Sequence, residues 1–113
     1  MNLPTQAKLL RIFIGEADKF DGRPLYEAIV MEARKRKMAG ATVLRGTLGF
    51  GANSHLHSAK ILEISEDLPM IIEIVDTEER INAFLPDLER MVKDGLVTME
   101  KAEVIAYRPR KET

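Results

Sequence analysis

The chain lacks cysteine and tryptophan and has almost no excess of charge of either sign. Without cysteine it can form no disulfide, no thiolate nucleophile and no thiolate zinc site. With 17 basic and 18 acidic residues its net charge is -1, so no overall field attracts nucleic acid. The longest apolar runs, such as residues 68–72, are far too short to cross a bilayer. These absences predict a protein that neither inserts into a membrane nor binds nucleic acid.

The N-terminal stretch also lacks the pattern of a signal peptide, because Arg11 interrupts its apolar run. Together with the absence of cysteine, this predicts a cytoplasmic protein. The 113 residues fit a single domain, residues 1–113, that is large enough to bury a core. The sequence contains no nucleophile elbow, no H-E-x-x-H motif and no pair of carboxylates whose context suggests raised pKa values. No enzyme activity is therefore predicted.

Alternation of apolar residues predicts four strands. In residues 7–15 the side chains of Leu10, Ile12 and Ile14 fall on one face, as in a strand. Three further strands are predicted at residues 41–48, 68–75 and 97–108.

Two segments between these strands have helical spacing. The first helix is expected to open at Pro24, which suits position N1, and to stop at Gly40. The second is expected from a capping pattern at Asp76 to residue 93, before Gly95. The order βαββαβ predicts an α+β, ferredoxin-like sandwich, in which a four-stranded antiparallel sheet carries two helices on one face.

The face of the sheet turned away from the helices is also expected to be apolar, because it receives Leu9, Phe13, Ile71 and Val75. An apolar patch of this kind on a small protein usually contacts a partner. The pattern therefore predicts an oligomer that packs through this sheet face.

Glycines are concentrated after the second strand, in a stretch that offers little to a core. Glycine permits positive φ and lets amide N–H groups approach an anion such as phosphate. The stretch follows the second strand rather than the first, and no lysine follows its last glycine, which excludes dinucleotide and Walker loops. We expect a site for a small phosphorylated ligand, with the candidates Arg45, Gly46, Gly49, Gly51, Asn53, His55 and Lys60.

A hairpin with a bulge is the alternative interpretation of these glycines. Ligand binding is preferred because a hairpin needs neither His55 nor Lys60. Residues 49–60 are expected to be the most mobile internal segment without ligand, since ordering a polar, glycine-rich loop costs entropy. His55 and His57 would face one side of an extended segment, but the sequence shows no third ligand, so no metal site is predicted.

The strand order, the glycine stretch and the uncovered sheet face together resemble the PII signalling superfamily over nearly the whole chain. The motif G-x-x-G-x-G at residues 46–51 and the run from Asp67 to Asp76 are most similar to an uncharacterised, conserved-hypothetical PII-like family within it. The resemblance implies a homotrimer that binds an adenine nucleotide in three inter-subunit clefts and signals to an unknown target protein.

The resemblance also assigns a role to the end of the chain. Arg108 and Arg110 are similar to basic residues that PII proteins place against phosphates, although a solvated basic tail is an equal alternative. Residues 94–101 keep only fragments of the second phosphate loop of PII proteins, and the loop after the second strand has no tyrosine to be modified. Two other functions stay open: a structural assembly module without a small ligand, and an amino-acid-binding regulatory domain.

Overall fold

The protein is described by a computed structural model over residues 4–51 and 67–110. Within these ranges its elements are β1 (Gln6–Gly15), β2 (Lys19–Phe20), β3 (Arg23–Pro24), α1 (Leu25–Lys35), β4 (Thr42–Arg45), β5 (Pro69–Asp76), α2 (Glu78–Met91) and β6 (Leu96–Glu103). The four longer strands form one sheet in the order β4-β5-β1-β6, and all neighbours are antiparallel. This arrangement confirms the predicted ferredoxin-like α+β fold. No helix of the described ranges is long and apolar enough to cross a membrane.

The core lies between the two helices and one face of the sheet. Alternate residues of β1 and β5 point into it, as the period of two requires. Ile12 and Ile72, which are paired across these strands, are completely buried, as is Phe84 of α2. Burying an apolar side chain of this size stabilises the fold by about 1.5–3 kcal/mol. The core also contains Leu10, Ile14, Leu25, Ala28, Ile29, Ala33, Met70, Ile74, Ile81, Leu88 and Met91.

The opposite side of the sheet, here called the open face, is covered by no helix of the described residues. One row of it runs straight across all four strands and is apolar: Leu44, Ile71, Phe13 and Leu96. Leu9 and Val75 form a second apolar pair further along β1 and β5. The predicted orientation of these strands is therefore confirmed.

A small hairpin precedes α1, and the sequence prediction missed it. Asp21 and Gly22 both adopt positive φ, at 50° and 78°, which is the geometry of a two-residue hairpin turn of type I′. The turn pairs β2 with β3. Pro24 then caps α1, which begins at Leu25. The sequence analysis placed the start of the helix at Pro24 but predicted no hairpin before it, although Asp-Gly is foremost a turn sequence.

Helix α1 ends at Lys35, well before the predicted stop at Gly40. Lys37 adopts the left-handed conformation at φ 56°, a position that glycine usually occupies. Its N–H donates to the Arg34 carbonyl and the Met38 N–H donates to the Ala33 carbonyl, which together form a Schellman motif. Sequence reasoning sought a glycine for this position and therefore placed the end too late.

The bounds of α2 and of two strands also differ from prediction. Thr77, rather than Asp76, caps α2, and its hydroxyl accepts a hydrogen bond from the Arg80 N–H at 3.1 Å. The helix ends at Met91, before the predicted residue 93. β4 and β6 are shorter than predicted, because the chain leaves the sheet at Gly46 and again at Val104.

Candidate functional site

Two of the three described glycines after β4, Gly46 and Gly49, lie against Pro69, at the beginning of β5. The Gly46 N–H donates to the Pro69 carbonyl at 2.7 Å and closes the base of the intervening segment. A Cβ atom on Gly46 would lie 2.5 Å from Pro69 Cγ, and one on Gly49 would lie 3.1 Å from the same atom. A Cβ on Gly51 would meet nothing within 4 Å. Positive φ is found at Gly22 and Gly95 but not at these three, so lack of space, rather than backbone conformation, accounts for Gly46 and Gly49.

Arg45 lies beside the contact between Gly46 and Pro69 and already forms an ion pair. Its guanidinium donates to the Glu16 carboxylate at 3.0 Å, and its side chain remains 59% exposed. The turn that holds Glu16 is itself fixed by carboxylates, since Asp18 accepts from the Gly15 N–H and Asp67 accepts from the Ala17 N–H, both at 2.9 Å. Any anion that binds Arg45 must therefore compete with Glu16.

The basic residues near the C-terminus are placed by the segment that follows β6. The Val104 N–H donates to the Thr5 carbonyl at 2.6 Å, so the chain starts this segment beside β1. Tyr107 then reaches the turn before β4, where its hydroxyl donates to the Ala39 carbonyl at 2.9 Å. The segment thus runs from the beginning of β1 to the turn before β4, and Arg108 directly follows Tyr107 at that turn. Arg108 and Arg110 are both exposed, and within the described ranges neither pairs with a carboxylate.

The turn before β4 is held from the other side by a buried carboxylate. Asp76 is fully inaccessible to solvent and accepts hydrogen bonds from the N–H groups of Ala39 at 2.9 Å and Thr77 at 2.7 Å. The Arg80 guanidinium lies 3.5 Å from it and also donates to the carbonyls of Arg36 and Lys37. A buried carboxylate with this many donors is satisfied, so we assign Asp76 a positioning role for the turn.

These observations divide the predicted site residues between the two ends of β4. Arg45, Gly46, Gly49 and Gly51 lie at or beyond its end, whereas Arg108 and Arg110 lie near its start. Four strand residues separate the two groups by about 13 Å. A single chain therefore does not bring the two groups to the same phosphate.

Three predicted ligand residues, Asn53, His55 and Lys60, lie outside the described residues, as does His57. Among the residues that are described, no group of three or more histidine, aspartate or glutamate side chains is placed to hold a metal ion. The predicted mobility of residues 49–60 likewise falls almost entirely outside the described ranges.

A charged cluster on the open face was not predicted. Arg11 donates to Glu73 at 2.7 Å and to Glu100 at 3.0 Å, so one guanidinium joins β1, β5 and β6. The hydrogen bond that Arg11 donates to the Glu73 carboxylate raises the pKa of Arg11 above its ordinary value. Alternation could place Arg11 on this face, but only the strand register shows its two partners.

Sequence comparison with known proteins finds a matching family and two similar relatives. Residues 7–104 match the DUF190 family, described as "Uncharacterized ACR, COG1993". The chain is 39% identical over 98 residues to a UPF0166 protein of Aquifex aeolicus, which covers 87% of this chain and 92% of that protein. It is 38% identical over 100 residues to UPF0166 protein MJ1524 of Methanocaldococcus jannaschii, covering 88% of this chain and 92% of the relative.

Solved structures of PII-like proteins have a similar fold. CPII of Thiomonas intermedia K12, bound to ADP and bicarbonate, aligns with a TM-score of 0.57 at 20% identity, over 92% of this chain and 91% of that one. The same nitrogen regulatory PII-like protein bound to ADP, AMP and bicarbonate aligns with a TM-score of 0.55 at 21% identity, with the same coverage of both chains. The chain therefore belongs to the uncharacterised DUF190 family, whose match spans all six strands, and it has the fold of PII-like proteins.

Proposed function

We propose that this protein is a PII-like regulator that forms a homotrimer, binds an adenine nucleotide in the clefts between its chains and passes the state of the ligand to a target protein. The observation that carries the proposal is the shared fold, since CPII has this topology and was solved with ADP bound. The apolar row of the open face supports the trimer, because a surface of this kind usually contacts a partner.

The nucleotide phosphates are assigned to Arg108 and Arg110. Within the described ranges these two exposed guanidinium groups pair with no carboxylate, whereas Arg45 already pairs with Glu16. Guanidinium binds phosphate through two parallel hydrogen bonds, which suits this role. Arg45, Gly49 and Gly51 are assigned to the far end of the same cleft, where the other end of an extended nucleotide would lie. Asn53, His55 and Lys60 remain proposed ligand residues on the sequence pattern alone.

Calorimetry with ATP, ADP, AMP and cyclic nucleotides tests this function. We expect heat with at least one of them, saturation at one ligand per chain, and an affinity that falls as salt increases. Native mass spectrometry of the freshly purified protein provides the stoichiometry of the chains and of any retained nucleotide in one measurement. A protein that shows neither heat nor a thermal shift with any of these ligands would not be a nucleotide-binding regulator.

An assembly module without a small ligand is the second candidate. It is favoured by the close approach of Gly46 and Gly49 to Pro69, which accounts for these glycines without any ligand. The calorimetric experiment separates the two functions, because an assembly module would form the trimer and bind no nucleotide.

A further inference from the structure

Two basic runs of the chain meet at one end of the sheet. One lies in the last turn of α1 and the turn after it, and the other follows Tyr107. The hydrogen bond from the Tyr107 hydroxyl to the Ala39 carbonyl joins the two runs. Because consecutive Cα atoms are about 3.8 Å apart, Lys37 and Arg108 each lie within about 8 Å of a residue in this bond. The five exposed basic residues of this region, here called the basic end, are Arg34, Lys35, Lys37, Arg108 and Arg110.

The charge of the basic end is only partly compensated. Nearby carboxylates already have partners, since Glu32 and Asp87 pair with Arg36, and Glu78 lies 3.8 Å from the Lys8 amine. Within the described ranges, the exposed carboxylates that remain at this end of the sheet without an ion pair are Glu79 and Glu103. Five cations against two carboxylates leave this end positive, although the whole chain has a net charge of -1.

An exposed apolar side chain accompanies this charge. Ile105 lies between Val104, whose N–H bonds to the Thr5 carbonyl, and Tyr107, so it is held at the same end of the sheet. It is 87% exposed, more than any other large hydrophobic residue of the described ranges. Basic residues beside an exposed apolar side chain are typical of surfaces that bind anionic bilayers.

We propose that the basic end binds the surface of a membrane that contains anionic lipids. The five cations lie among the lipid phosphates, and the side chain of Ile105 enters the boundary between headgroups and acyl chains. Binding of this kind takes place at the bilayer surface and needs no membrane-spanning segment. The inference goes beyond the proposed function, because lipid binding requires neither the trimer nor a nucleotide.

Nucleic acid is the other polyanion that attracts a basic surface, and the residues of this end disfavour it. Proteins that bind single strands supply aromatic side chains on which the bases stack. The aromatic residue here, Tyr107, is half-buried and uses its hydroxyl within the protein. A lipid surface accommodates both the charge and the apolar side chain of Ile105, and it is therefore the partner that the composition favours.

Sedimentation with lipid vesicles tests the proposal. We expect the protein to bind vesicles made of equal parts of phosphatidylglycerol and phosphatidylcholine, and not vesicles of phosphatidylcholine alone. Binding should weaken as salt increases, because ions screen the attraction between exposed charges. Absence of binding to the mixed vesicles at low salt would overturn the inference.

A pair of double variants locates the lipid-binding surface. Lys35→Gln with Lys37→Gln should lower the affinity for the mixed vesicles by about thirtyfold, which is about fivefold for each lysine. Lys19→Gln with Lys93→Gln is the matched control, because it removes the same charge from the opposite end of the sheet, near the end of β1 and the start of β6. Equal losses in the two double variants would overturn the assignment to the basic end. Arg108 and Arg110 remain in both, so calorimetry with ADP on these proteins tests the proposed function separately.

The contribution of Ile105 distinguishes a lipid surface from nucleic acid. Ile105→Ser should lower the affinity for the mixed vesicles by about tenfold, whereas Ile105→Leu keeps an apolar side chain and should bind as the wild type does. Circular dichroism shows whether each variant keeps the fold. Single-stranded RNA that binds more tightly than the vesicles, with an affinity unchanged by Ile105→Ser, would assign the basic end to nucleic acid and overturn the lipid proposal.

Discussion

The hydroxyl of Tyr107 donates a hydrogen bond to the backbone carbonyl of Ala39, 68 residues earlier in the chain, at 2.9 Å. This contact joins the segment after β6 to the turn between α1 and β4. Ala39 is at the same time held by Asp76 through its N–H. The position of the C-terminal arginines is therefore linked to a turn that is itself fixed to the core.

Tyr107→Phe should weaken the proposed nucleotide binding through the position of Arg108. The variant keeps the ring and loses one hydrogen bond, whose net value of about 0.5–1.5 kcal/mol corresponds to an affinity loss of about two- to tenfold. The loss should be found with ADP and ATP but not with adenosine, which has no phosphate to be misplaced. Calorimetry measures the ratio of these affinities. Tyr26→Phe is the matched control, and an equal loss with adenosine would indicate a general structural effect.

Arg108→Ala should lower the affinity for ADP by about ten- to a hundredfold, because it removes a charge-assisted hydrogen bond to phosphate. The trimer should stay intact, and the dependence of affinity on salt should become weaker. Arg34→Ala removes an exposed arginine from the last turn of α1 and serves as the control. If both variants bind ADP as the wild type does, Arg108 is not a phosphate ligand.

Phe13→Asp and Ile71→Asp should each weaken the proposed trimer. The two side chains are paired on the open face, and assembly through this face would bury an unpaired charge in either variant. Sedimentation at micromolar concentrations measures the effect. Met31→Asp, at an exposed apolar position of α1, is the control and should leave assembly unchanged. Trimers of undiminished stability in both sheet variants would show that the open face is not the interface.

Gly46→Ala should lower the free energy of unfolding by about 1–3 kcal/mol, because its Cβ would overlap Pro69. Gly51→Ala adds a Cβ in open space and should change it by less than about 0.5 kcal/mol. Urea unfolding measures both. Pro69→Ala, which removes the overlapping Cγ, should restore part of the loss when combined with Gly46→Ala. Equal stability of the two single variants would contradict the packing explanation.

Asp76→Asn should lower the free energy of unfolding by about 1–3 kcal/mol, because the buried amide can no longer accept from both the Ala39 and Thr77 N–H groups. Asp67→Asn is the control, since Asp67 also accepts from a backbone N–H but at an exposed position. Thermal unfolding should show a clearly smaller change for the control. Matching changes would mean that burial adds nothing to the role of Asp76.

The sequence was sufficient for the fold because its signals were periodic. Alternation in β1 places Ile12 in the core and Phe13 on the open face, and the register across β5 agrees with both. The ends of the helices and strands were harder to predict from the sequence, because they depend on single residues in atypical conformations. Lys37 adopts a conformation in which glycine is expected, and this moved the end of α1.

Only part of the candidate site could be predicted from the sequence, and the reason was different. Residue type indicated Arg45 and Arg108 as anion ligands, but which cations are already paired depends on contacts between distant segments. The ion pair of Arg45 with Glu16 spans 29 residues, and that of Arg11 with Glu73 spans 62. Neither pair leaves a local pattern in the sequence, so three-dimensional contacts were needed to separate paired from available charge.

The hydrogen bond between Gly46 and Pro69 has a consequence for the length of the segment between these two residues. It joins the two ends of the intervening segment by a backbone bond at the edge of the sheet. For a segment tied in this way, doubling its length costs only about 0.6 kcal/mol of closure entropy. Related proteins with a longer or shorter segment would therefore keep the same scaffold at nearly the same stability.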